Sequence, residues 1–219
     1  MLDDVLEDYP KELGLREGLK CLVRPLESTD EQALHRFFLA VPEGERLFIK
    51  HRVIEPEVIA AWCQHIDLGH HLPLLGLAAD GEVLAAATLH QQLGGWKRHI
   101  GRVSVLVHPN FRGRGLARGL IAETIDIARR IGLQQLEAEF IGEQETAMKM
   151  FALLGFQPCC GSRITSRTCR PTVTITCSWG WTSKPTRNTP AWANPADSRS
   201  SARSFQAVGT GPCRIRLMI

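Results

Sequence analysis

Val103-Ser-Val-Leu-Val-His-Pro-Asn-Phe-Arg-Gly-Arg-Gly-Leu-Ala117 decides the fold of this 219-residue chain. Val103, Val105, Leu106 and Val107 are the β-branched and apolar residues of a buried strand, and Pro109 with Asn110 stops it. From Leu116 the apolar residues recur at Leu120, Ile121, Ile125, Ala128 and Ile131, one face of a helix, with Gly132 where a C-terminal cap belongs. Arg112 to Ala117 therefore sits at a helix N-terminus. There, about four backbone N–H groups lack intrahelical partners and roughly half a positive charge accumulates, so the turn attracts phosphate before any side chain contributes. Gly113 and Gly115 let the backbone approach a ligand and adopt positive φ, Arg112 and Arg114 offer charge-assisted hydrogen bonds, and Ala117 keeps the next position small. The stretch is built to hold a pyrophosphate.

Other glycine-loop readings fail on spacing. A dinucleotide fingerprint counted from Gly113 needs a final glycine where Arg118 stands, and no Lys-Ser or Lys-Thr follows for a P-loop. An ordinary turn between strand and helix is the bland alternative for an isolated R-G-x-G.

In context, a strand followed by Arg112, Gly113, Arg114, Gly115, Leu116 and Ala117 resembles the [Q/R]-x-x-G-x-[G/A] signature of the GNAT acetyltransferase superfamily. The resemblance implies that loop and helix bind the pyrophosphate of acetyl-CoA, and that the strand backbone at Val105, Leu106 and Val107 pairs with the pantetheine arm. The remaining elements follow the same order. Leu22 to Leu26 reads as a strand, and Ser28-Thr29-Asp30-Glu31 opens a helix through Ala33, Leu34, Phe37 and Phe38. Glu55-Pro56-Glu57 opens a second, with Val58, Ile59, Trp62, Cys63 and Ile66 on one face. Leu72 to Ala79 and Glu82 to Gln91 read as strands joined by an Asp80-Gly81 turn. After the signature helix come a strand over Leu133 to Ile141, a helix over Gln144 to Leu154, and Gly155-Phe156. The expectation is an α/β GNAT-type acyl-CoA acyltransferase fold, a mixed central sheet flanked by helices, over residues 21–158. Residues 1–20 resemble the leader hairpin of a subgroup that includes stand-alone and protein-lysine acetyltransferases.

Residues 159–219 are of another kind. They hold 9 Lys and Arg against 1 Asp or Glu, where residues 1–158 hold 17 against 22. They also carry 5 of the 7 Cys, 3 of the 5 Trp and 17 Ser and Thr. So abrupt a shift is what a change of coding frame near Pro158 or Cys159 produces, and it leaves the closing C-terminal strands of the fold in doubt. A basic, disordered arm binding nucleic acid and a fragment of another module are the alternatives. Thr172 to Thr176 alternates well enough to serve as one strand.

The resemblance implies an acetyl-CoA-dependent N-acetyltransferase that moves an acetyl group to a primary amine, a protein lysine or a small amine, by direct attack. Such chemistry needs a neutral amine, a polarised carbonyl and a proton for the leaving thiolate. The Val107 N–H is the expected carbonyl donor where parallel strands splay. Glu139 and Glu143 are the candidate bases, with His90 and His108 behind them; a strand-end glutamate is more often merely solvated. Arg102 occupies a region where some relatives carry glutamate, and Gln144 stands where an asparagine often contacts pantetheine. Phe151 stands where many relatives place a tyrosine that protonates the thiolate, and the sole tyrosine, Tyr9, lies in the leader. A catalytically silent CoA-binding module is the competing reading. No C-x-x-C spacing supports zinc or a disulfide frame, and His65, His70 and His71 lack ligand-spaced partners, so no metal is expected. The acidic body gives no reason to expect nucleic acid on the domain itself. No apolar run approaches about 18 residues and the leader has no signal-peptide pattern, which predicts no membrane partner and a cytoplasmic location.

Overall fold

The computed structural model describes residues 2–18, 20–46, 52–141, 144–158, 164–165 and 171–178. Helices α1 (Leu2–Leu6), α2 (Glu31–Ala40), α3 (Glu43–Arg46), α4 (Pro56–Gln64), α5 (Leu116–Arg130) and α6 (Glu145–Leu153) surround one sheet. Its strands are β1 (Lys11–Gly14), β2 (Lys20–Pro25), β3 (His71–Leu77), β4 (Val83–His90), β5 (Ile100–Val107), β6 (Gln135–Ile141), β7 (Gln157–Pro158), β8 (Ile164–Thr165) and β9 (Pro171–Ser178). They lie in the order β1-β2-β3-β4-β5-β6-β9-β7, with β8 beside β9. Every neighbouring pair is antiparallel except β5 and β6. This is the expected mixed sheet flanked by helices.

Residue alternation along the strands divides the core in two. Leu72 and Leu74 of β3, Val103 of β5, and Leu136, Ala138 and Phe140 of β6 pack with Leu116, Leu120, Ile121 and Ala128 of α5 and Phe151 of α6. On the other face Leu75, Leu77 and Val83 pack with Leu34, Phe37 and Phe38 of α2 and Ile59 and Cys63 of α4. Where α2 begins, Arg24 grips the Asp30 carboxylate with two 2.7 Å bonds and the Glu27 N–H donates to it at 2.9 Å. Burial alone would push the Asp30 carboxyl up; these bonds outweigh it and hold the group below the usual carboxylate range.

Gly101 is tightly packed. A Cβ there would meet the ends of the Leu133, Leu136 and Leu89 side chains at 2.8–2.9 Å, so any larger residue makes these three leucines shift. The segment Thr172 to Thr176 lies within β9, which runs antiparallel along β6 from Gln135↔Ser178 to Ile141↔Thr172. Ile175 and Cys177 of β9 are buried in the α5-side core.

Candidate active site

The site grows from the two edges of β5. On one edge β4 stays in register from Ala85↔Val107 to His90↔Arg102, and the His108 N–H donates to Leu84 at 2.8 Å. Backbone direction alternates in such a ladder. Leu106, Ser104 and Arg102, in phase with His108, therefore spend their amides on β4, while Val103, Val105 and Val107 turn theirs toward β6. That strand keeps parallel register only from Ile100↔Gln135 to Arg102↔Glu137, while its other edge stays paired with β9 from Gln135 to Ile141. The last bridge, Arg102↔Glu137, engages the Val103 amide on β6, and beyond it the amides of Val105 and Val107 face a widening gap. Leu106, grouped with them on sequence, differs: alternation gives its amide to the β4 ladder, and its side chain packs against the α2–α4 core.

The gap opens toward the glycine loop. One 3₁₀ turn, Pro109–Phe111, links β5 to it, and the His108 Nδ1 accepts the Asn110 N–H at 3.3 Å. His108 is thereby engaged in shaping the turn. Gly113 and Gly115 have φ of 79° and 96°, and a Cβ at either would meet no atom within 4 Å. Positive φ, not crowding, requires glycine, and the space before both is open. Gly115 is the N-cap of α5 and no side-chain hydrogen bond caps the helix. Leu116 is buried and anchors the first turn, with Ala117 half-buried beside it. Arg112 places Nη2 2.9 Å from the Glu45 carboxylate of α3 and Nε 3.4 Å from the Val107 carbonyl, while the Arg114 guanidinium lies 5.3 Å from the centre of the Phe111 ring. Glu45 is a partner the sequence did not suggest; α3 is a single turn with no apolar periodicity to announce it.

Below the gap, on the sheet face away from α5, stand Arg102 and Ser104 of β5 and Glu137 and Glu139 of β6, alternating with the buried Val103, Ala138 and Phe140. Arg102 and Glu139 approach to 3.4 Å across the point where the strands part. Glu139 is thus beside the gap but shared with a guanidinium. His90, across from Arg102, has its Nδ1 2.9 Å from that of His71. His70 meets Asp67 at 2.7 Å, a pairing the sequence reading did not give it. Glu143 falls outside the described residues. Gln144 is the N-cap of α6 and its carbonyl accepts the Met148 N–H at 3.1 Å.

Phe151 is a core residue, edge-on to Phe140 and Phe156 with both ring centres 4.9 Å away. The Tyr9 hydroxyl donates to Glu123 at 2.8 Å on α5, and burial, reinforced by that carboxylate, pushes the phenol far up. Cys21, Cys63 and Cys177 are buried thiols. Among the described residues no three His, Cys, Asp or Glu converge as a metal site, and no helix is long and apolar enough to cross a membrane.

This arrangement has counterparts in known proteins. The model of the acetyltransferase (GNAT) family matches residues 26–156. The L-amino acid N-acyltransferase MnaT of Escherichia coli (strain K12) is 31% identical over 101 residues, which cover 44% of this chain and 56% of that protein. The chain therefore spans little more than half the length of this curated relative. The GNAT domain of S. lividans PAT superposes with a TM-score of 0.65 at 20% identity, covering 77% of this chain and 96% of that one. The yncA protein of Salmonella typhimurium, solved with its cofactor acetyl-CoA, gives a TM-score of 0.57 at 20% identity over 76% of this chain and 98% of its own. At these identities the two solved structures speak for the fold.

Proposed function

The chain belongs to the GNAT acetyltransferase family, and from that premise we propose that it is a cytoplasmic enzyme carrying the acetyl group of acetyl-CoA directly to a primary amine. One observation carries the reading: β5 and β6 part after Arg102 and Glu137, so the Val105 and Val107 amides face a gap that ends at the uncapped N-terminus of α5. In this scheme the amides from Gly113 to Arg118, with Arg112 and Arg114, hold the diphosphate. The pantetheine arm lies in the gap against Val105 and Val107, with Gln144 nearby. The Val107 N–H donates to the thioester oxygen as it gains negative charge. The amine nitrogen bonds to the carbonyl carbon, the C–S bond breaks, and CoA leaves as thiolate. Glu139 or Glu143 takes the amine proton, and solvent protonates the thiolate, because Phe151 carries no hydroxyl. For Glu139 to act, Arg102 has to yield it.

The acceptor is a protein lysine or a small amine; the name of the Escherichia coli relative, an L-amino acid N-acyltransferase, supports the small one. The Arg102–Glu139 pair and Phe151 favour a second reading, a CoA-binding module without turnover. Thiol release from acetyl-CoA across amino acids, polyamines and a lysine peptide separates them. Release with amino acids is the expected result. CoA binding with no release across the panel establishes the module, and no CoA binding rejects both.

A further inference from the structure

The leader reaches the site at a point the scheme above does not use. The Tyr9 hydroxyl and Lys11 Nζ lie 2.8 and 3.1 Å from the Glu123 carboxylate, and Arg130 meets Asp8 at 2.6 Å. Leu13 of β1 lies so near Gly119 that a Cβ on that glycine would come within 2.9 Å of Leu13 Cδ1. Residues 8–13 are thus fastened along α5. Just beyond them the Arg16 N–H donates to the Arg114 carbonyl at 3.1 Å. Arg114 stands between the two glycines of positive φ, where the backbone has the least intrinsic stiffness.

The peptide unit is planar and trans, so its C=O and N–H point in opposite directions. A leader that holds the Arg114 carbonyl also fixes the Gly115 N–H on the far side of the same plane. We infer that the leader is a positioning element for the diphosphate cradle, with the Arg16 amide holding the Arg114–Gly115 peptide in the orientation that presents the Gly115 N–H to the anion. Without that bond the peptide, flanked by glycine, rotates at little cost, and the ligand has to order it on binding. The inference rests on the CoA reading of the loop.

Calorimetric titration of CoA into the full chain tests it through two substitutions at one position. Arg16 opens a 3₁₀ turn, Arg16–Gly18, a place where the φ of proline fits and the N–H alone is lost. Arg16→Ala keeps the amide and is expected to bind as wild type. Arg16→Pro is expected to raise the dissociation constant about fivefold to tenfold, the net worth of one hydrogen bond; a value within twofold of Arg16→Ala overturns the inference. Glu123→Ala loosens the leader far from the loop and guards against a misfolded proline variant. It is expected to raise the constant roughly twofold to threefold with kcat at saturation unchanged, and no rise counts against the inference. By reciprocity CoA has to slow amide exchange over residues 11–16 of the wild type, and absence of protection also overturns it. Wild-type protein that binds no CoA removes reading and inference together, whereas normal binding by Arg16→Pro removes the inference alone.

Discussion

The two edges of β5 belong to the same eight residues, Ile100–Val107, and behave oppositely. Toward β4 the ladder runs unbroken from Arg102 to Val107; toward β6 it ends at Arg102. The β4 edge is closed and contributes rigidity, whereas the β6 edge is open for most of its length and leaves amides to bind something that is not protein. A strand inside a sheet can offer backbone donors only where its neighbour departs, because amides within the sheet otherwise take a partner. The departure itself makes the cleft: β6 leaves β5 and continues with β9.

The contrast can be broken most severely at the mouth of the open edge. Replacing Gly113 and Gly115 together by valine forces β-branched residues into the left-handed region, at about 1–3 kcal/mol each, and is expected to weaken CoA binding a hundredfold or more by calorimetry. Unaltered affinity would show that the loop is not the cradle. Proline at Val107 against proline at Leu106 sharpens the comparison. Val107→Pro removes a gap-facing donor and is expected to lower kcat about a hundredfold while the melting temperature holds, whereas Leu106→Pro breaks the β4 ladder and lowers stability. Equal melting losses in both variants would refute the alternation. The smallest effect concerns the short closed part of the β6 edge. Gly101→Ala crowds Leu89, Leu133 and Leu136 and is expected to cost about 1–3 kcal/mol in urea unfolding.

Much of this architecture is legible in the chain because it is local. Pro109, the glycine pair and Gly132 mark the boundaries of strand, loop and helix, and Gly81, with φ of 85°, sits in the Asp80-Gly81 turn between β3 and β4. The elements missed are too short for a period to show: α1 has five residues and α3 has four. The site's electrostatics were hidden for a different reason. Arg112 finds Glu45 across 67 positions and Tyr9 finds Glu123 across 114, and no pattern within a window brings such residues together. The sequence placed Glu139 near the splay; that Arg102 would share it depends on parallel register stopping at the Arg102↔Glu137 pair, two residues before Glu139, which no local pattern announces.

The pairing of β9 with β6 also constrains how the protein can be handled. Its unusual composition invites a cut at Pro158, yet seven residues of β6, Gln135 to Ile141, take their outer neighbour from beyond that cut. A shortened chain would present their unsatisfied amides and carbonyls, together with the apolar surface that Ile175 and Cys177 now shield, to any second molecule in solution. Self-association of such a product would report the stripped margin of the sheet, and would say nothing about how the intact polypeptide assembles.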